Sequence, residues 1–206
     1  MILKSAKFVT SAAKVKQCPE IDMAEVAFAG RSNVGKSSLM NMLLRRKRLV
    51  KVSNTPGRTQ LLNYFLINNE FHLVDLPGYG FAKAPKSVRR NWEDVISEYL
   101  ATRAQLAAVV LLLDIRRKPN ADDIGVIQMF QEQGLPCILA ITKADKLPLQ
   151  KRKKQIFAIA KSLGLEAGDC IMTSALKSWG RDELWSSIEC FLEAPQEEYE
   201  EEAEEE

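Results

Sequence analysis

The sequence predicts an α/β fold, with a mostly parallel six-stranded sheet, one antiparallel edge strand, and helices on both faces. Three observations carry this. Short apolar runs alternate with amphipathic stretches along the whole chain. Four of the runs are continuously apolar, as strands buried on both faces are. No internal repeat and no Gly/Ser linker interrupts the alternation. In such sheets ligands bind beyond the carboxyl ends of the strands. The residues just after each strand are therefore the informative ones.

Taken in order, the first segment, 1–23, is basic and lacks an acid until Glu20. It has no long apolar core of the kind a secretory signal needs. Its Ser and Lys content leaves a weak transit-peptide reading beside that of a structured or RNA-touching extension. VAFAG (26–30) is the first strand, and SSLMNMLLRR (37–46) the helix after it. LLNYFLI (61–67) and FHLVDLPG (71–78) flank Asn68-Asn69 and read as a hairpin. In SVRRNWEDVISEYL (87–100), Val88, Trp92, Val95, Ile96 and Tyr99 recur at helical spacing. AVVLLLD (108–114) precedes a helix signalled by Pro119 and Asp122-Asp123. CILAIT (137–142) precedes a helix from about Pro148 to Leu163, closed by Gly164. CIMTSA (170–175) precedes a last helix, RDELWSSIECFL (181–192).

Composition narrows the classes. The 206 residues carry a formal net charge of +2, which hides an uneven distribution. Nine of the 27 acidic residues lie in 193–206, where no basic residue occurs. Residues 1–192 therefore set 29 basic against 18 acidic residues, a net of +11. The expected organisation is one domain over 1–192, with 1–23 as its extension, and an acidic, disordered tail. No window approaches the roughly 18 apolar residues of a membrane helix. The four cysteines form no CxxC pair, which removes zinc and redox motifs and points to a reducing cytosol. Cys137 and Cys170 begin apolar runs and are expected to be buried thiols. His72 lies inside a strand pattern and reads as structural; Trp92, Trp179 and Trp185 are expected to pack on the core. No Ser–His–acid or paired-carboxylate arrangement is visible.

The chemistry sits at the strand ends. After the first strand comes Gly30-Arg31-Ser32-Asn33-Val34-Gly35-Lys36-Ser37, a match to the P-loop pattern GxxxxGK[ST]. Its glycines let the backbone wrap a phosphate with amides pointing inward. Lys36 is expected to reach the β- and γ-phosphates and Ser37 to ligate Mg²⁺. After the third strand comes Asp75-Leu76-Pro77-Gly78. There Asp75 can hold Mg²⁺ through water and the Gly78 amide can sense a γ-phosphate. After the fifth strand, Thr142-Lys143-Ala144-Asp145 offers a carboxylate to the two donors of guanine and a lysine stem to pack on the base. After the sixth, Thr173-Ser174-Ala175-Leu176 offers a backbone amide to a purine O6.

This ordered set resembles the G1–G5 motifs of the TRAFAC-class GTPases, and most of all the EngB (YihA/YsxC) family of ribosome-biogenesis GTPases. The residues carrying the likeness are GRSNVGKSS (30–38), NTPGRTQLLNYF (54–65), DLPGYGFAK (75–83), TKAD (142–145) and TSAL (173–176). The likeness covers about 6–192 and leaves out the acidic tail. It implies a G domain that binds GTP and GDP with Mg²⁺, with Ser38 and Gly57-Arg58-Thr59 also at the nucleotide. Thr59 becomes the switch I threonine and a Mg²⁺ ligand, favoured over Thr55 because it adjoins the second strand. Lys36, Thr59 and Gly78 become the catalytic set. The implied role is a cytoplasmic switch in assembly of the large ribosomal subunit, bound to rRNA, in the context of cell division and septation. Neither DNA nor membrane is an expected partner, and a monomer is expected.

Two departures from the general GTPase pattern matter. Thr142 stands where many GTPases have an Asn that ties the base loop to the P-loop, and the shorter Thr predicts modest base affinity. Tyr79 follows DxxG where Ras-like enzymes use a water-orienting Gln, which predicts slow intrinsic hydrolysis accelerated by a partner. Asn33 occupies the position where potassium-activated GTPases carry Asn, so K⁺ is a candidate cofactor; the plainer alternative is that Asn33 only shapes the loop. Lys and Arg cluster at 45–51, 89–90, 116–118 and 151–154, an excess suited to a polyanion. For 151–154 alone, a solvated helix face explains the charge as well. The tail either aids solubility or competes electrostatically for the basic face. The competing functional classes are a non-hydrolysing GTP-dependent RNA adaptor and a P-loop ATPase or kinase; Asp145 argues against the latter.

Overall fold

The computed structural model describes residues 1–20, 22–50, 61–80 and 86–193, and the side chains of all of these but 86–93. In chain order the elements are β1 (Ala6–Ala12), β2 (Glu25–Gly30), α1 (Lys36–Leu43), β3 (Leu62–Ile67), β4 (Phe71–Asp75), α2 (Lys86–Thr102) and β5 (Leu106–Asp114). Then come α3 (Ala121–Glu132), β6 (Cys137–Thr142), α4 (Leu149–Ser162), β7 (Cys170–Met172) and α5 (Arg181–Glu193). The strands form one sheet in the order β1-β3-β4-β2-β5-β6-β7.

The sheet has seven strands, not the six expected, and the antiparallel strand is not at the edge. β3 runs antiparallel to both neighbours, β4 and β1, and β1 takes the edge outside it. The remaining pairings are parallel. β1 escaped the sequence reading for a physical reason. Only Ala6 and Ala12 of AKFVTSA are buried, so the strand shows neither an apolar run nor an alternating pattern. A register shift between Phe8 and Thr10 breaks its periodicity further. The β3–β4 hairpin is as expected. Asn68 and Asn69 adopt φ of 54° and 60°, the left-handed region that Asn tolerates in tight turns.

Alternation along the central strands builds two cores. Val26 and Phe28 of β2, with Ala108, Val110 and Leu112 of β5, face Leu39, Met40 and Leu43 of α1 and Leu184, Trp185 and Ile188 of α5. Ala27, Ala29, Val109, Leu111 and Leu113 face the other way, toward Ile96 and Tyr99 of α2, Phe130 of α3 and Ile159 of α4. Each strand is thus covered on both faces, which is why its sequence is apolar without a break. The C-terminal ends of β2, β4, β5, β6 and β7 are left at one edge of this sandwich, where the motifs lie.

Other expectations are met or adjusted. Trp185 is buried, and Trp179 packs partly buried against the second core. Trp92 has its side chain outside the described ones. All four cysteines are free. Cys137 and Cys170 are only partly buried; the fully buried thiol is Cys18. β7 ends at Met172, earlier than the run at 170–175 implies, and releases Thr173–Ala175 into the loop that serves the site.

Candidate nucleotide-binding site

The phosphate end is built by the turn from β2 into α1. Gly30 closes the strand where a Cβ would come within 2.9 Å of Val34 Cγ1 and 3.1 Å of Leu112 Cβ. Gly35 precedes the helix at φ 109°, open to glycine and strained for other residues. The first-turn amides of α1, from Lys36, Ser37 and Ser38, have no acceptor within the helix and remain donors. Asn33 has φ 63°, so it does shape the loop; its side chain is exposed. Arg31 turns away, with Nη1 3.3 Å from Asp122 Oδ2 at the start of α3.

The DxxG segment lies against this loop. Asp75 ends β4, almost fully buried, and its carboxylate is ion-paired with the Lys36 ammonium. A Cβ on Gly78 would meet the Ser32 backbone at 3.1 Å, so a side chain there would force the two loops apart. The Ser32 amide donates to Tyr79 O at 3.0 Å, and the Tyr79 amide to Gly30 O at 3.2 Å. The Tyr79 hydroxyl donates to Asp123 Oδ1 at 2.8 Å. Burial, and then the Asp123 charge, push that phenol well above its ordinary range, so it stays protonated. Tyr79 is thus a buried strut from the DxxG segment to α3. Leu76 buries its side chain in the core, which leaves only its backbone for a ligand. Gly57, Arg58 and Thr59, and the competitor Thr55, lie outside the described residues.

The base end is joined to the phosphate end by direct bonds. Thr142 Oγ1 donates to Val34 O at 2.8 Å. The shorter side chain therefore does make the tie that was expected to need Asn, and its length is no reason for weak base affinity. Lys143, at φ 59°, sends Nζ to Asn33 O at 2.6 Å and to Asp114 Oδ2 at 2.9 Å. Its stem thereby spans from the base loop to the P-loop. The Ala144 amide donates to Thr173 O at 3.1 Å, which fixes the 173–175 loop beside 142–145. Ser174 Oγ donates to Asp145 Oδ1 at 2.7 Å. That bond, foremost, holds the Asp145 carboxyl below its usual range, so it is ionised and oriented to accept hydrogen bonds.

Three residues near the site were not read as site residues from the sequence, although Asp123 was read as a helix signal and Arg116 as part of a polyanion-binding cluster: Asp114, Arg116 and Asp123. Asp114 receives Arg116 Nη2 at 2.7 Å and Nε at 2.9 Å as well as Lys143. Burial pushes its carboxyl up, but these donors outweigh it and hold it at about 2. A signal was there, since Asp114 is the charged residue ending an apolar strand. Its partner, 29 positions on, was not legible.

The donor set suits a hard divalent cation. Ser37 offers a hydroxyl and Asp75 a carboxylate, both oxygen donors beside the free first-turn amides of α1. No group of three or more His, Cys, Asp or Glu among the described residues could hold a metal by itself.

Comparisons with known proteins agree with this geometry. A family described as a 50S ribosome-binding GTPase matches residues 25–143. The probable GTP-binding protein EngB of Geobacter metallireducens is 48% identical over 204 residues, covering 99% of this chain and all of that protein. That match reaches into the acidic tail, beyond the 6–192 of the motif likeness. EngB of Geotalea daltonii is 50% identical over 194 residues, 94% of each chain. Among solved structures, a probable GTP-binding protein EngB superposes with a TM-score of 0.68 at 26% identity, covering 82% of this chain and 98% of that one. Era in complex with MgGDPNP and nucleotides of 16S ribosomal RNA gives a TM-score of 0.65 at 27% identity, over 84% of this chain and 58% of that one. The P-loop, the Tyr79 strut and the bonded base loop thus sit in a chain that belongs to the EngB family of GTP-binding proteins, and it is a GTPase.

Proposed function

We propose that this GTPase switches between GTP and GDP forms to assist assembly of the large ribosomal subunit. The observation that carries the nucleotide reading is the pair of bonds from Thr142 to Val34 O and Lys143 to Asn33 O. They place an ionised Asp145 at a fixed distance from the P-loop, as recognition of a guanine and a polyphosphate in one ligand requires. Gly30–Ser38, Asp75–Gly78, 142–145 and 173–175 form the binding surface in this reading, joined by Gly57–Thr59.

The reaction is attack of water on the γ-phosphate. Lys36 leaves Asp75 for the β- and γ-oxygens, and the Gly78 amide engages the γ-phosphate. Ser37, Thr59 and Asp75 would hold Mg²⁺, which when bound neutralises charge that develops on the phosphate oxygens. Because Tyr79 is committed to Asp123, this segment supplies no side chain at that position to orient water. Intrinsic hydrolysis is therefore slow, and a partner supplies the missing organisation. A monovalent K⁺ near Asn33 is a second source of positive charge.

The ribosomal part of the reading is supported by charge. Arg45, Arg46, Lys47 and Arg48 are all exposed in the loop that leads into switch I, and none forms an ion pair among the described residues. Phosphate contacts from that loop would change with nucleotide state. Four free thiols fit the reducing cytoplasm proposed for it, and no helix among the described residues is long and apolar enough to cross a membrane. Single-turnover phosphate release tests the proposal. Purified large subunits should accelerate it by an order of magnitude or more, and KCl should exceed matched NaCl. Equal rates with and without subunits would reject the switch reading; equal rates in the two salts would reject only K⁺.

A further inference from the structure

One helix carries a cationic face that forms few ion pairs among the described residues and that the site does not use. α4 holds five basic residues and no acidic one. Its inner side is settled: Ile159 and Ala160 are buried, and Ile156 packs on the core beside them. Arg152 is also committed, with Nε donating to Leu147 O at 2.9 Å and its guanidinium 4.4 Å from the Trp179 ring centre. Lys151, Lys153, Lys154 and Lys161 are exposed, and none forms an ion pair among the described residues. In their midst stands Phe157, 59% exposed. Lys153 and Lys154 precede it by one helical turn and Lys161 follows by one, so the four side chains share a stripe.

Neither half of this pattern is informative alone. Scattered exposed aromatics are ordinary, and lysine-rich helix faces are ordinary solvated surface. Together, one aromatic ring framed by cations one turn away on both sides matches a ligand with π-faces on an anionic backbone. The stripe also comes at a cost: three lysines lie in the first turns of α4, where the helix dipole disfavours cations and no acid offsets them.

We propose that the α4 stripe docks an unpaired segment of RNA. One base stacks on Phe157, and Lys153, Lys154 and Lys161 take the flanking phosphates. Duplex RNA fits poorly, because its bases are stacked inside the helix. Among the described residues α4 packs chiefly on the turn at Ala167–Asp169 and on β7, away from the P-loop. The dock therefore holds RNA in both nucleotide states, whereas the loop at 45–48 acts as the gated contact. This inference rests on the RNA-binding reading above and adds to it a surface and a strand preference.

The test is fluorescence anisotropy of the full chain with a labelled oligouridylate or a blunt RNA duplex, across a range of KCl, with GDP or a GTP analogue. Phe157→Ala should weaken oligouridylate binding roughly tenfold in both nucleotide states, with its salt slope unchanged. Phe157→Trp should bind as the wild type does. Lys153→Ala with Lys154→Ala should reduce the slope of log affinity against log salt by about 1.4. Guanine nucleotide affinity and Tm of each variant serve as fold controls and should not move. If the wild type binds oligouridylate and the alanine variants bind equally well, the α4 dock is wrong and the RNA reading stands. An equal loss for the duplex, or a loss confined to the GTP form, also overturns the dock. So does a photo-crosslinker at position 157 that, on large subunits, labels a ribosomal protein and no RNA. Failure of the wild type to bind any RNA or subunit in any state would overturn the RNA reading with it.

Discussion

In the proposed reading, guanine specificity rests on single hydrogen bonds. Asp145 is presented ionised because Ser174 Oγ donates to it at 2.7 Å. Asp145→Asn exchanges an acceptor for a donor at one oxygen, so preference should move from guanine to xanthine nucleotides, read by competition binding. Thr142 shows how a residue type misleads when read by size. Its hydroxyl reaches Val34 O at 2.8 Å because the β6 backbone already sits beside the P-loop. Thr142→Val keeps the shape and leaves that carbonyl unsatisfied, at a cost of about 1–3 kcal/mol. The Tm should fall, and GDP affinity should weaken by about tenfold or more. Spacing and residue type grouped these residues in the sequence, and the structure brings them together. The sequence could not name their partners, because Thr142–Val34 and Lys143–Asp114 are contacts set by packing, 108 and 29 residues apart.

At the scale of elements, the sequence was legible wherever a strand is buried on both faces. β2, β5 and β6 read as apolar runs because both of their faces meet a core. β1 did not, since its exposed face and its bulge leave no period to detect. The hairpin was legible through chemistry instead, in two asparagines that accept positive φ. β4 contains a further testable feature. His72 is fully buried, and neither ring nitrogen has a hydrogen-bond partner among the described residues. Its ring lies edge-on to Tyr64, with centroids 5.8 Å apart. Burial pushes its pKa below the ordinary 6.5, only partly opposed by Glu25. The unfolded chain thus takes up the proton first as pH falls. The stability from the neutral buried ring is complete above 6.5 and is lost as pH drops below that value toward the folded pKa. Thermal melts should show Tm falling between pH 7 and pH 5. His72→Leu should flatten that dependence, and an unchanged slope would contradict it.

For the whole molecule, charge is the feature that neither motif nor fold explains. The G-domain body is strongly basic and residues 193–206 are strongly acidic. Two exposed basic surfaces, the loop at 45–48 and the α4 stripe, answer for part of the body's charge. The tail can reduce the field that both present to RNA. Deleting 193–206 should raise RNA affinity severalfold at low salt and steepen its salt dependence, and equal curves for the two chains would contradict this. Composition exposed the imbalance at once, whereas only the structure separates paired cations such as Arg116 from ones such as Lys153 that form no ion pair among the described residues. The central claim, a nucleotide switch read by the large ribosomal subunit, is tested most directly by co-sedimentation with isolated subunits in a GTP analogue, in GDP and without nucleotide. The chain should pellet with the large subunit in the GTP analogue, with binding reduced severalfold in GDP and in its absence. Equal pelleting in all three conditions, or none in any, would contradict it.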